Sequence, residues 1–332
     1  MKCGWRNFLA AVCACGLWAG AAAAQTTLKL ATMAPDGSIW MQALADAKAE
    51  IETATAGAVK VKIYPGGIMG SEQDVLFKIK TGQLHGGGFL GYAINVVCPD
   101  VGALMFPMVF RNYDEVDRTL EAMRPFLDGR TRAAGFEALG WTEVGFSYAY
   151  SVKPIPSLEA LRATKVWGLD SPMLMELLGA AGIASIPVDV TDVLTALQTG
   201  LLDTVFGPPT AAIAVQWHTK IRHANALRLT YALGGVFLSS AAWNGLPAAH
   251  RETVKAIFDK HCRQLTPKVR QSDVEALEFM RTQGVQIAET TPETRAAFEQ
   301  VAATALQKVK GRDFSAAAWD LLQQTLREIR GP

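Results

Sequence analysis

The sequence predicts an α/β fold arranged in two lobes, and two observations carry that expectation. The first is the stretch Thr164–Pro209. Its short apolar or β-branched runs, Lys165–Trp167, Ser185–Val188 and Thr204–Phe206, alternate with two apolar-periodic segments, Pro172–Ala181 and Thr191–Thr199, each ended by a glycine (Gly182, Gly200). This reads as strand, helix, strand, helix, strand, with helical crossovers that imply parallel strands. The second observation is a similar batch of strands and helices nearer the N-terminus. The long strand-like runs Thr142–Ser151 and Thr230–Trp243 are able to cross between the two batches. A chain of 332 residues is enough for two domains of ordinary size. The expected division is 25–144 plus 233–272 for the first lobe and 145–232 plus 273–332 for the second.

In chain order, residues Met1–Ala24 read as a secretory signal peptide, with an uncleaved anchor as the rival reading. Lys2 and Arg6 form the basic end, Phe8–Gly20 is apolar, and Ala22-Ala23-Ala24 supplies small residues before Gln25. Its removal would turn the formal charge from +1 to −1 and leave Cys98 and Cys262, which read as two buried thiols rather than a disulfide framework. No basic surface for nucleic acid is indicated. Leu28–Leu30 and Val59–Ile63 alternate as strands, and Pro35-Asp36-Gly37 is turn chemistry. Ser38 and Ser71 stand as caps before helices near Trp40–Thr55 and Glu72–Thr81. Gly86–Gly91 reads as a glycine-rich strand and turn. Tyr113–Leu127 and Gly129–Leu139 read as two helices. Pro208–Trp217 starts another, Pro247–Gln283 reads as a helical stretch interrupted near Pro267, and Pro292–Lys310 and Ala316–Ile329 are long C-terminal helices.

No catalytic constellation emerges. The five histidines, His85, His218, His223, His250 and His261, lack metal-ligand spacing, and no Cys pattern accompanies them. There is no G-x-S-x-G, and Gly86-Gly87-Gly88 has neither the Lys-Ser/Thr of a P-loop nor a dinucleotide fingerprint. An enzyme is therefore not expected, nor a cofactor or metal. In parallel α/β units ligands sit outside the carboxyl ends of strands, so the candidate ligand-binding residues are those near such ends. They are Met33, Trp40, Phe89, Tyr92, Ser147, Tyr148, Trp167, Gly168, Asp170, Phe206, Gly207, Pro208 and Trp217. Trp167, followed by Gly168, is expected to face a cleft. Phe206 is open to core or cleft, as is Trp217, and Asp170 to a capping role.

The order of several weak motifs resembles the solute-binding proteins of TRAP transporters, the DctP-type family. The motifs are Ala31–Ser38 (ATMAPDGS), Tyr64–Glu72 (YPGGIMGSE), Lys80–Leu84 (KTGQL), Pro154–Trp167 (PIPSLEALRATKVW), Thr195–Asp203 (TALQTGLLD) and Ala242–Pro247 (AWNGLP). The resemblance spans about Leu28 to the last helices. It implies a two-lobe periplasmic-binding-protein-like fold that closes on a small molecule and delivers it to TRAP membrane permease subunits. The family's Lys-x-Arg, whose arginine clamps a ligand carboxylate, is here Lys165-Val166-Trp167. A second family arginine falls at Ser147, and the asparagine of Glu-Asn-Pro falls at Gly207. These departures resemble a subgroup lacking the clamping arginine, some of whose systems include a periplasmic tetratricopeptide-repeat protein. They imply a ligand less polar than a dicarboxylate in an aromatic cleft. The alternatives are a monocarboxylate receptor with a displaced cation such as Lys153 or a main-chain nest, a periplasmic enzyme on the same scaffold, and an interaction module without ligand.

Overall fold

A computed structural model describes residues 25–168 and 172–331. The expected signal peptide and Asp170 lie outside the described residues. The strands are β1 (Thr26–Thr32), β2 (Val59–Tyr64), β3 (Gly86–Phe89), β4 (Phe136–Ser151), β5 (Val166–Gly168), β6 (Ser185–Pro187), β7 (Thr204–Gly207), β8 (His223–Ser239) and β9 (Gln286–Ala288). The helices are α1 (Ile39–Ala54), α2 (Glu72–Lys80), α3 (Gly91–Val97), α4 (Gly102–Met105), α5 (Tyr113–Ala133), α6 (Leu158–Arg162) and α7 (Pro172–Ala180), then α8 (Val193–Thr199), α9 (Pro209–Ala214), α10 (Ser240–Gly245), α11 (Ala248–Thr282), α12 (Pro292–Val309) and α13 (Ala316–Arg330).

The strands form one sheet in the order β2-β1-β3-β8-β4-β7-β5-β6, with β9 also on β8. β1 is parallel to β2 and β3, and β5 is parallel to β6 and β7, as the alternation in Thr164–Pro209 implies. The two parallel sets are joined by β4 and β8, which pair antiparallel from Phe136↔Ser239 to Ser151↔His223. β3 joins β8 at one end of this ribbon and β7 joins β4 at the other. β3 needs its glycines there, since a Cβ on Gly86 would lie 2.0 Å from the Phe237 carbonyl oxygen.

Three apolar clusters hold the layers. Leu28, Leu30, Ile51 and Phe258 pack between the first-half strands, α1 and α11. Tyr150, Trp167, Val205, Trp217 and Met280 pack in the second half. The largest cluster runs from α2–α5 to α6, α7, α12 and α13. Cys98 and Cys262 are both free and buried, which raises both thiols, Cys98 to about 11 and Cys262 to about 12.

Three boundaries differ from the sequence expectation. Tyr113–Ala133 is one helix through Pro125, and Phe136–Leu139 belongs to β4 instead of a second helix. Gly135, at φ +85°, turns the chain there, and pairing with Leu238 and Phe237 overrides local helical periodicity. The second crossing strand stops at Ser239, whose hydroxyl accepts from the Ala242 N–H and starts α10. α11 continues through Pro267 for 35 residues, about 52 Å at 1.5 Å per residue. It packs on α1, β4 and α9 and so touches both halves. That tertiary support outweighs the hydrogen bond Pro267 cannot make.

Candidate functional site

The register fixes where the strand ends meet. β3 ends at Phe89, opposite Gly235 of β8, and Gly235 is opposite Trp141 of β4. β7 runs the other way and ends at Gly207, opposite Tyr148. The carboxyl ends of the two parallel sets therefore point toward each other along the Trp141–Tyr148 segment, roughly 23 Å at 3.3 Å per residue. Outside such ends is where α/β sheets bind ligands.

The first-half wall is built from two interlocked loops. Gly66 N–H donates to the Ala34 carbonyl at 2.8 Å, and Gly67 N–H to the Thr32 carbonyl at 3.1 Å. Met33, 40% exposed, lies over Gly67. Ser38 caps α1 by accepting from Met41 N–H, and Trp40 then donates its indole N–H to the Glu143 carbonyl of β4 at 3.3 Å. The N-terminus of α3 has no cap of its own, because Leu90 has no acceptor side chain. Glu72 supplies one, accepting from Leu90 N–H at 3.0 Å and Ala93 N–H at 2.7 Å. Burial pushes the Glu72 carboxyl up, against the pull of these bonds. Tyr92 stands exposed beside it, whereas Phe89 is 2% exposed and stacked on Phe237, in the core.

In the second half, Phe206 and Pro208 are half-buried, Gly207 is buried, and Tyr148 is half-buried opposite Gly207. The expected exposure of Trp167 is corrected. It is 3% exposed, its Nε1–H donates to the Val188 carbonyl at 2.8 Å, and its ring meets Trp217 edge-on at 5.3 Å. An indole at a strand end needs a partner for its single donor, and the carbonyl just past β6 supplies it inside the second-half core. Trp217 is likewise buried, and a Cβ on Gly207 would lie 3.3 Å from its ring. Gly168 is buried against Ser185. The structure thus gathers Trp167, Trp217 and Gly207 into one packed unit behind the wall. Ser147 is half-buried on the crossing strand.

The cations near the crossing are engaged. Lys153 Nζ donates to Asp203 at 2.8 Å, and Lys165 N–H donates to the same carboxylate at 3.0 Å. Burial alone would raise the Asp203 carboxyl, but these two bonds hold it below the usual carboxylate range. Glu143, 1% exposed, accepts from Arg270 Nε at 2.8 Å and from the Tyr231 hydroxyl. Arg270 also grips Asp117 of α5 and lies 4.1 Å from the Tyr113 ring centroid. Arg228 donates to the Arg111 carbonyl and covers the Phe146 ring at 5.1 Å. A charged cavity of about 420 Å³ lies between α5, α11 and the crossing strands, lined by Arg124, Arg263 and Arg270 with Asp117, Glu121 and Glu143.

Sequence reasoning missed Glu72, Glu143, Arg270 and Asp273. Glu143 carried a signal, being a lone carboxylate in the aromatic run Thr142–Ser151. Arg270 and Asp273 carried none, since only the path of α11 brings them to β4.

Comparison with known proteins accords with this architecture. Residues 30–312 match the family described as bacterial extracellular solute-binding protein, family 7. The chain is 23% identical over 256 residues to the C4-dicarboxylate-binding periplasmic protein DctP of Rhodobacter capsulatus, covering 75% of this chain and 76% of that one. It is 21% identical over 273 residues to the sialic acid-binding periplasmic protein SiaP of Vibrio cholerae, covering 80% and 83%. Among solved structures, a TRAP periplasmic solute binding protein from Ochrobactrum anthropi matches with a TM-score of 0.85 at 22% identity, over 93% of this chain and 97% of that one. Another, from Desulfovibrio salexigens with bound orotic acid, matches at 0.82 and 18%, over 92% and 100%. The fold is thus the two-lobe α/β fold of periplasmic binding proteins. The match across residues 30–312 makes the chain a member of the bacterial extracellular solute-binding protein family 7, the DctP family.

Proposed function

We propose that this protein is a periplasmic solute receptor of a TRAP system that captures a small molecule less polar than a dicarboxylate and delivers it to membrane permease subunits. One observation carries the reading. By the resemblance, the place of the family's clamping arginine falls to Trp167, which is buried with its donor spent on Val188. A tryptophan cannot form the paired charge-assisted bonds that a guanidinium gives a carboxylate. Lys153, the candidate displaced cation, is held by Asp203, and Arg270 by Glu143 and Asp117. The membership in the arginine-lacking subgroup, with its tetratricopeptide-repeat partner in some systems, belongs to the same reading.

The wall facing the solute is then Met33, Trp40 and Tyr92 from the first half and Ser147, Tyr148, Phe206 and Pro208 from the crossing strand and second half, with Gly207 packed behind it. Trp167 and Trp217 shape that wall from behind. Relatives in solved structures hold anions, among them orotic acid, D-glucuronate and pyroglutamic acid. We expect none of these three to raise the melting temperature of this protein at millimolar concentration. Native mass spectrometry of protein purified from its own periplasm should instead show a bound, relatively apolar molecule without a carboxylate. Micromolar binding of D-glucuronate by calorimetry would sink the proposal. Sequencing of the secreted protein should find Gln25 at its N-terminus.

A further inference from the structure

One turn of α11, from Arg270 to Asp273, touches the parts that move if the two halves rotate. Arg270 holds Glu143 of β4 and Asp117 of α5. Asp273 reaches the other side. Its Oδ1 accepts from Thr210 N–H at 3.1 Å and from the Thr210 hydroxyl at 2.6 Å, at the corner between β7 and α9. Asp273 is 5% exposed, and its Oδ2 is buried without a hydrogen-bond partner. That oxygen bears on the crossing strand: a Cβ on Gly145 would lie 2.3 Å from it. Gly145 sits at φ +109°, where β4 shifts register against β8. A side chain is excluded there both by backbone conformation and by space.

The geometry points to Asp273 as the positioning residue of the second-half wall: through Thr210 it fixes the Gly207–Thr210 corner to the long helix, and through its unshared oxygen it meets the crossing strand where the halves turn. Its purpose in setting the capture wall rests on the solute-receptor reading; its existence as a clamp does not. The titratable groups facing it are Glu143 and Tyr150 of β4 and Tyr113 of α5, while α9 presents the neutral Thr210. Burial is the largest influence on the Asp273 carboxyl, pushing it up to about 6 against the two Thr210 bonds, with Glu143 adding to the rise. The native state therefore binds this proton more tightly than the unfolded chain. The stabilisation is fully present below the ordinary carboxylate range and is lost as pH rises through about 6.

Asp273→Asn keeps an acceptor for Thr210 and removes the charge. Its melting temperature relative to wild type should rise by about 2–3 °C between pH 5 and pH 8. In native-state hydrogen exchange at one pH, Asp273→Ala should speed exchange of the Thr210 amide about tenfold through local opening, and Asp273→Asn should restore most of the protection. A melting difference that is flat across this pH range, or a Thr210 amide equally protected in Asp273→Ala, would overturn the assignment. Native mass spectrometry separates the two claims. A protein that carries no solute but shows both signatures keeps the clamp and loses the receptor reading.

Discussion

Trp167→Ala should cost about 3–5 kcal/mol of folding stability, the range for deleting a large aromatic side chain from a packed core. The ring is 3% exposed and meets Trp217 edge-on, so its removal leaves a cavity on a strand held between β6 and β7. The Val188 carbonyl also loses its indole donor. The thermal midpoint should fall by about 5–8 °C, with an unchanged urea m-value. Trp167→Phe separates the contributions, since it keeps much of the packing and loses the hydrogen bond, for about 1–2 kcal/mol beyond the lost volume. If Trp167→Ala melts within a degree or two of wild type, the ring is not the core element described above, and an exposed solute-facing role returns.

Arg270→Met is the second large effect. Glu143 is almost fully buried and accepts from Arg270 and Tyr231. Removing the guanidinium leaves a buried carboxylate with one neutral donor, which costs about 3–5 kcal/mol. The outer pair with Asp117 is half-exposed and adds no more than about 1 kcal/mol. The double variant Arg270→Met, Glu143→Gln should recover most of the loss, because no buried charge is then stranded. Chemical denaturation of the two single variants and the double gives the coupling. A coupling near zero would mean that the pair does not hold α11 to the crossing strand.

The parallel unit from Lys165 to Gly207 was legible because each element is short and local and its two helices end at their own glycines, Gly182 and Gly200. The crossing strands were legible as long runs rich in aromatic and β-branched residues. Their limits were not, because Phe136–Leu139 becomes strand only by pairing with residues about a hundred positions away. Pro267 suggested a break, and nothing nearby in sequence records that α1, β4 and α9 support the helix around it. The candidate site was legible as strand ends but not as exposures. Gly168 after a strand suggested an open Trp167, yet the direction of an indole depends on which carbonyl lies within its reach. The roles of Glu143 and Asp273 depend on α11 crossing both halves, which local periodicity does not encode.

The place of β8 in the sheet also governs how the chain matures. β3 consists mostly of Gly86-Gly87-Gly88, and one of its edges is filled by Val236–Leu238, some 150 residues later. Until that segment is synthesised, the first half has a bare strand edge with little side-chain bulk to shield it, the kind of edge that recruits other chains. Such distant pairings also fold slowly, because loop closure precedes any gain from the contact. The nascent protein therefore depends on being kept unfolded until residues beyond Ser239 are available, and a truncation before that point should aggregate instead of forming a stable half.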